Sequence, residues 1–327
     1  MLRAFNLSKV GIIANPSAGK DIRRLVAAGR VISNQEKANI ITRFIKGLAF
    51  KGIKDFYFMP DKSGLFRPSV DELKNEINPF FLDTKHYDGA EQTLLAAELI
   101  NNLECDCVLV LGGDGTNRLV AKKIGKVPIV PISTGTNNAF PIVIDPTVAG
   151  LASAYYIQNK HNKDLLIQHP YIKVIIDKEV EEIALVDLAI SKQNFVGSKA
   201  IWDPEVISQL FLTQSESTSI GLSSLGSKIT DIPRDSALRL EFGKPGKEIY
   251  APIAPGLIST IIVKNWELFS YDKKFRIDNL IGTIALDGER ELEIYKKNIL
   301  EISLEKSGPF VIDVIRSVKE ENLSRIN

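Results

Sequence analysis

Along the first 150 positions, apolar residues come in short unbroken runs separated by stretches where they recur every three or four residues. The runs are Val10–Ala14, Asp55–Met59, Cys107–Leu111 and Val127–Ile132, and they read as strands, the ones without polar interruption as buried parallel strands. Ala38–Phe50, Ala90–Leu103 and Asn117–Ile124 carry helical spacing, and Asp21 is placed as the N-cap of a helix over Ile22–Ala28. This rhythm of strand, loop, helix and strand predicts an α/β fold with a doubly wound parallel sheet. After a helix at about Val148–Asn159 the period becomes two. Tyr171–Ile176, Ile183–Ile190, Ala237–Phe242, Ile258–Val263, Phe275–Ile277, Thr283–Leu286 and Ile299–Leu304 read as short strands, with Gly243–Gly246 as a turn between two of them. Pro204–Leu212 reads as the one helix in that series. The second half is therefore expected to be a mostly antiparallel β-sandwich. The division is placed at 1–145 and 146–327, with a return of the C-terminal segment to the first domain left open.

Composition narrows the function classes. A chain of 327 residues suits two cores better than one. Hydrophobic residues at 44% and charged residues at 25% exclude a disordered chain, a coiled coil and a collagen-like rod. Lys+Arg 41 against Asp+Glu 40 leaves a formal charge of +1, so neither nucleic acid nor an anionic membrane is an expected partner. Cys105 and Cys107 are not expected to pair, which leaves no disulfide framework and reads as intracellular. The three histidines, His86, His161 and His169, have no zinc-ligand spacing. No apolar run reaches the roughly 18 residues of a membrane span, and a cytoplasmic protein is expected.

The sharpest chemical signal is LGGDGT at 111–116, between an apolar strand and a helix. Glycines let backbone N–H groups approach an anion, and a helix N-terminus adds partial positive charge. Asp114 would repel a phosphate in a plain cradle; it makes sense as a Mg²⁺ ligand or as a base taking a proton from a hydroxyl. The alternative is a tight turn with Asp114 as a helix N-cap. NPSAGK at 15–20 follows the first strand but is no Walker A loop, because GxxxxGK[ST] is absent and Asp21 follows Lys20. STGTNN at 133–138 follows another strand and offers hydroxyls and amides. Three such loops at the carboxyl ends of one sheet converge on one crevice, as a nucleoside triphosphate requires.

GGDGT at 112–116, NPSAGK at 15–20 and TGTNN at 134–138 resemble the superfamily shared by NAD kinases and diacylglycerol/sphingosine-type kinases. FVGSKAIWD at 195–203, SIGLSSL at 219–225, APGLI at 254–258 and GTIALDGERE at 282–291 resemble the acetoin-catabolism-associated branch of the ATP-NAD kinase family. The resemblance implies an N-terminal α/β nucleotide-binding domain, a C-terminal β-sandwich substrate domain and an active site between them. It implies ATP with Mg²⁺ or another divalent cation as donor, and phosphoryl transfer to a hydroxyl, with NAD as the favoured acceptor. The alternatives are a small polyol or lipid hydroxyl, or a nucleotide-binding sensor without turnover. Nucleotide contacts would come from Asn15, Gly19, Lys20, Gly112, Gly113, Gly115, Thr116, Thr134, Gly135, Thr136, Asn137 and Asn138. Asp114 and Glu289 would be catalytic, the latter from the Asp287–Glu289 segment that matches a DGE of lipid kinases, and Asp114 and Asp287 would hold metal. A homodimer or tetramer is implied as well. The chain departs from NAD kinases in lacking a loop like STPTGSTAY and an Asn-Glu pair in the matching context.

Smaller features have two readings each. Trp202 reads as packing before base stacking, Lys199 as a phosphate contact or a solvated charge, and Arg290 as a phosphate clamp or an exposed cross-strand ion pair. Ser219, Ser223 and Ser224 are the hydroxyls available to a polyol pocket. The mixed charges of Arg316–Arg325 read as a solvated helix or a frayed end.

Overall fold

Apolar runs without a polar face are stable only in a sheet covered on both sides. The structure is a computed structural model and describes residues 8–18, 28–29, 31–84, 89–134, 138–160, 162–193 and 204–324. β1 (Lys9–Ala14), β2 (Asp55–Phe58), β3 (Asn78–Phe81), β4 (Cys107–Gly112) and β5 (Ile129–Ser133) lie parallel in the order β3-β2-β1-β4-β5. The order reverses between β1 and β4, which opens a crevice at their carboxyl ends. Between the strands run α1 (Asn34–Phe50), α2 (Arg67–Glu72), α3 (Gly89–Asn102) and α4 (Asp114–Ala121), and α5 (Pro146–Gln158) follows β5.

One face of this sheet packs Val10, Ile12, Leu109 and Val130 against Ile41, Phe44 and Leu48 of α1 and Ala152 of α5. The other packs Ile13, Val108 and Val110 against Ile100 of α3 and Val120 of α4. Helix starts follow local chemistry. Ser33 caps α1 by accepting from the Glu36 amide at 3.1 Å, within an S-x-x-E sequence. Asp145 caps α5 by accepting from the Thr147 amide at 2.8 Å, with Pro146 in the first turn. This helix falls after the division at 145, yet it lies against α1.

The second half holds β6 (Leu166–Gln168), β7 (Tyr171–Ile176), β8 (Val180–Ala184), β9 (Asp187–Ser191), β10 (Ile207–Leu212), β11 (Ala237–Ala254), β12 (Leu257–Phe269), β13 (Lys274–Ile277), β14 (Gly282–Leu286), β15 (Glu289–Ile294), β16 (Leu300–Glu305) and β17 (Phe310–Ile312), then α6 (Val314–Ser324). Two antiparallel sheets, β12-β11-β10-β9-β14-β15 and β13-β16-β7-β8, sandwich a core that includes Ile172, Val174, Leu188, Ile190, Phe211, Phe275 and Ile302. The chain end returns to the first sheet: β17 lies parallel to β5, and β6 pairs antiparallel with β17 on the outside.

Three expectations are corrected. Pro204–Leu212 is a short 3-10 turn followed by strand β10 in the middle of the larger sheet, since a short apolar run reads equally well with either period. Gly243–Gly246 does not separate two strands; it is an irregularity inside β11, where Phe242 and Lys247 both face Val263. Ile183–Ile190 is split into β8 and β9 at Leu185–Val186, whose amides serve a buried carboxylate described below.

The contact of α1 with α5 needs two glycines. A Cβ on Gly150 would stand 2.2 Å from the Phe44 carbonyl oxygen, and one on Gly47 would stand 2.6 Å from that of Thr147. Gly150→Ala should therefore force the helices apart at a cost of about 1–3 kcal/mol, read as a lower urea midpoint with unchanged slope. An unchanged midpoint would show that the helices separate freely.

Candidate functional site

β4 ends at Gly112, Gly113 is the N-cap of α4, and the helix begins at Asp114, three residues before the expected start. The first amides of a helix have no acceptor inside it and carry its partial positive charge. Neighbouring loops are tied to this turn. The Asn15 side-chain amide donates to the Thr116 hydroxyl at 3.1 Å, and the Asn15 backbone amide donates to Leu111 at 3.0 Å. The Thr134 amide donates to the Gly112 carbonyl at 3.2 Å. Asn138 donates to the Ser133 hydroxyl at 2.8 Å, and its carbonyl oxygen would lie 2.9 Å from a Cβ on Gly113. Thus one strand end and two loops close on the glycines.

Asp114 is not the cap. Its buried carboxylate turns to the loop after β5 and accepts from the amides of Ala139, at 3.1 and 3.2 Å, and Phe140, at 2.9 Å. The Ala139 carbonyl in turn accepts from the Gln214 side chain at 2.8 Å, so the sandwich reaches the same loop.

The DGE segment splits its two carboxylates. Asp287 and Gly288 have φ of 52° and 77°, as a two-residue hairpin turn between β14 and β15 requires. The Asp287 side chain is buried and accepts from the amides of Leu185 at 3.1 Å, Val186 at 2.7 Å and Asp187 at 3.3 Å. The Arg118 guanidinium stands 3.5 Å from it. Burial pushes the Asp287 carboxyl up to about 6, against the pull of Arg118 and the three amides. Glu289, at the start of β15, points elsewhere: a Cβ on Gly115 would lie 3.6 Å from its carboxylate. Half-buried, that carboxylate has no hydrogen-bond or ion-pair partner among the described residues. The GGDGT loop and Glu289 therefore meet, while Asp287 faces the break between β8 and β9. Among the described residues no group of three or more His, Cys, Asp or Glu side chains comes together to hold a metal ion.

Two cations escaped sequence reasoning. Lys37, fully buried in the first turn of α1, donates to the carbonyls of Asn15, Pro16 and Ala18 at 2.9–3.1 Å and so holds the first loop. Its signal is a lysine on the apolar stripe formed with Ile40, Ile41 and Phe44. Arg118 is equally buried on α4. Beside the first loop a crevice of about 180 Å³ is lined by Asn15, Ser17, Met59, Lys62 and the start of α3. Of the polyol candidates, Ser219 accepts from the Glu216 amide and the Ser224 hydroxyl donates to Gly221, both within their own turn. Gly19, Lys20, Gly135, Thr136, Asn137, His86, His161, Lys199 and Trp202 lie outside the described residues, as does the side chain of Arg290. Cys105 and Cys107 are free and buried, and burial raises both thiols, Cys105 to about 12. No described helix is long and apolar enough to cross a membrane.

Residues 10–159 match the family model of the ATP-NAD kinase N-terminal domain, and residues 170–307 match that of the acetoin catabolism protein X C-terminal domain. Over 322 residues the chain is 33% identical to acetoin catabolism protein X of Cupriavidus necator, covering 93% of this chain and 90% of that protein. Among solved structures, yeast NADH kinase complexed with NADH superposes with a TM-score of 0.50 at 13% identity, over 96% of this chain and 87% of that one. An NAD kinase from Archaeoglobus fulgidus in complex with ATP gives 0.38 at 13% identity, over 81% and 94%. The likeness to the yeast enzyme is one of fold.

One titration bears on this site. The His169 ring packs edge-on against Phe140, 5.0 Å between centroids, and burial, followed by the charge of Arg234, lowers its pKa to about 4. An imidazole held neutral in the fold gives stability that is complete above pH 6.5 and is lost as pH falls toward 4. The wild type should lose about 1–3 kcal/mol more than His169→Gln across that window, measured by urea unfolding at each pH. Parallel stability curves would rule out an imidazole held neutral at His169.

Proposed function

The chain belongs to the family of acetoin catabolism protein X, built on an ATP-NAD kinase domain, and we propose that it transfers the γ-phosphoryl group of ATP to a hydroxyl, with NAD as acceptor and NADP as product. The observation that carries this reading is the Glu289 carboxylate, free of described partners, above Gly115 of the glycine turn. Phosphoryl transfer needs positioning and charge stabilisation more than covalent help, and a helix N-terminus faced by one carboxylate supplies both.

The triphosphate, carrying Mg²⁺ as part of the substrate, would lie on the amides of Gly113, Gly115 and Thr116, with Asn15, Thr134 and Asn138 closing the rim; the family resemblance adds Gly19, Lys20, Gly135, Thr136 and Asn137 as nucleotide contacts. The crevice beside Asn15 and Lys62 would take the nucleoside side. Asp114, held by the amides of Ala139 and Phe140, would supply negative charge toward the metal. Asp287 is turned to three amides and a guanidinium, so the site's other carboxylate toward the metal would be Glu289. Glu289 accepts the proton of the acceptor hydroxyl as its oxygen bonds to the γ-phosphorus, and ADP leaves with the electrons of the broken P–O bond. A homodimer or tetramer belongs to this reading, and light scattering that gives a monomer at micromolar concentration would reject that part of it.

A second acceptor class, a small polyol or lipid hydroxyl, is favoured by the Asp287–Glu289 match to lipid kinases and by the missing STPTGSTAY loop. Incubation with γ-labelled ATP and, in turn, NAD, NADH, diacylglycerol and small diols separates the two. Label in NADP is the expected result; label in another acceptor keeps the chemistry and changes the substrate. An ATP–Mg²⁺ thermal shift with no labelled product would instead mean a sensor. Glu289→Gln should cut turnover by about 10²–10⁴-fold with the ATP KM little changed. Asp114→Asn should likewise remove most turnover and leave the fold intact. Full activity in either variant would remove that carboxylate from the mechanism.

A further inference from the structure

Arg118 lies one turn beyond Gly115 on α4, and its side chain is only 1% exposed. Its Nε stands 3.5 Å from Asp287 and its Nη1 3.6 Å from Glu182 of β8. Lys122, one further turn along the same helix, holds both oxygens of Glu182 at 2.8 and 2.9 Å. The helix that begins at the glycine turn thus grips the sandwich through two cations on one face. The Asp287 carboxylate, in turn, clamps three amides where β8 breaks into β9. The hairpin is held from both sides, since the Asp287 amide donates to the Asp187 carbonyl at 2.8 Å and the Gly288 amide donates to the Asp187 carboxylate at 3.1 Å. Glu289 is the next residue.

We propose that Arg118 and Asp287 are positioning residues that set Glu289 over the glycine turn. The helix carrying the phosphate-binding amides is referenced, through one buried ion pair, to the hairpin carrying the carboxylate. Two rigid connections, Gly115 to Arg118 along a helix and Asp287 to Glu289 around a two-residue turn, leave Glu289 little freedom relative to Gly115. A carboxylate that would stand 3.6 Å from a Cβ on Gly115 gains most from such a reference, because a displacement of about 1 Å at a reacting group costs about 10²-fold in rate. The proposal rests on the kinase reading only for its kinetic consequence; the geometric consequence stands apart from it.

The test uses the full chain with Arg118→Met, Arg118→Lys, Asp287→Asn, Glu289→Gln and the double variant R118M/E289Q. Amide hydrogen exchange comes first. In R118M the amides of Asp287, Gly288 and Glu289 should exchange about tenfold faster or more, while those of β7 and β16 match the wild type. Unchanged protection at 287–289, or an equal loss throughout the sandwich, overturns the proposal whether or not the protein is a kinase. Should R118M fail to fold, D287N, nearly the same size, is read in the same way. Kinetics follow on the acceptor found to take label. R118M should lose about 10²-fold in kcat with the ATP KM within about threefold, and Arg118→Lys should recover part of it. In the E289Q background R118M should cause no further loss, because the carboxylate it positions is gone. Losses that multiply would overturn the positioning role. A wild type that labels no acceptor counts against the kinase reading alone, and exchange then decides.

Discussion

A guanidinium and a carboxylate buried to 1% and 0% exposure each forfeit hydration worth several kcal/mol, which only close partners can restore. Arg118 and Asp287 find those partners only when the two halves of the chain are assembled. Arg118 comes from the helix after β4, Asp287 from the turn after β14, and the three amides from the break between β8 and β9. Each irregularity in that neighbourhood follows from this one requirement. The break frees amides that a continuous ladder would consume, and the positive-φ turn brings the carboxylate to them. Removing either ion would leave the other buried without its main counter-charge, a change that typically costs about 3–5 kcal/mol.

The same economy recurs around the glycine turn. Asp114 is met by backbone amides and Lys37 by backbone carbonyls, so each loop at the crevice is braced by a charge that spends itself on main chain. Such bracing fixes the loop at several points. What it leaves over is informative. Among the described residues, the amides of Gly115 and Thr116 and the Glu289 carboxylate are left unused at this place.

The parallel sheet was legible because its strands are apolar on both faces and its helices show clear spacing. The sandwich was legible from period-two strands and turn residues. Motifs that act locally, GGDGT above all, could be placed at the crevice from the strand before and the helix after. The failures have one cause: contacts made at long range. Nothing in ISQLFL tells a central strand from a helix until β9 and β11 flank it. Nothing near Leu185 announces that Asp287, about a hundred residues on, will take its amide. Arg118 looks like an ordinary helix cation until its partner is known, whereas Lys37 could have been suspected from its place on an apolar stripe. Asp287, expected as a metal ligand, and Glu289, expected as a catalytic carboxylate, stand two residues apart in the sequence, but the turn between them sends one inward and the other to the glycines.

The place of β17 between β5 and β6 carries a consequence for how the molecule comes into being. A ribosome delivers β1 to β5 first, and Ile142 bridges the outer edge of β5 at Ile132, yet that edge beside Ile129 is closed by residues 310–312. At synthesis rates of about 5–20 residues per second, that edge waits on the order of ten to forty seconds. Throughout that interval Ile129 presents unpaired main chain, the kind of edge that recruits foreign strands. The nascent first domain is thus an unfinished sheet that its own last strand must seal, and a chain cut short before Phe310 would keep the edge open for good.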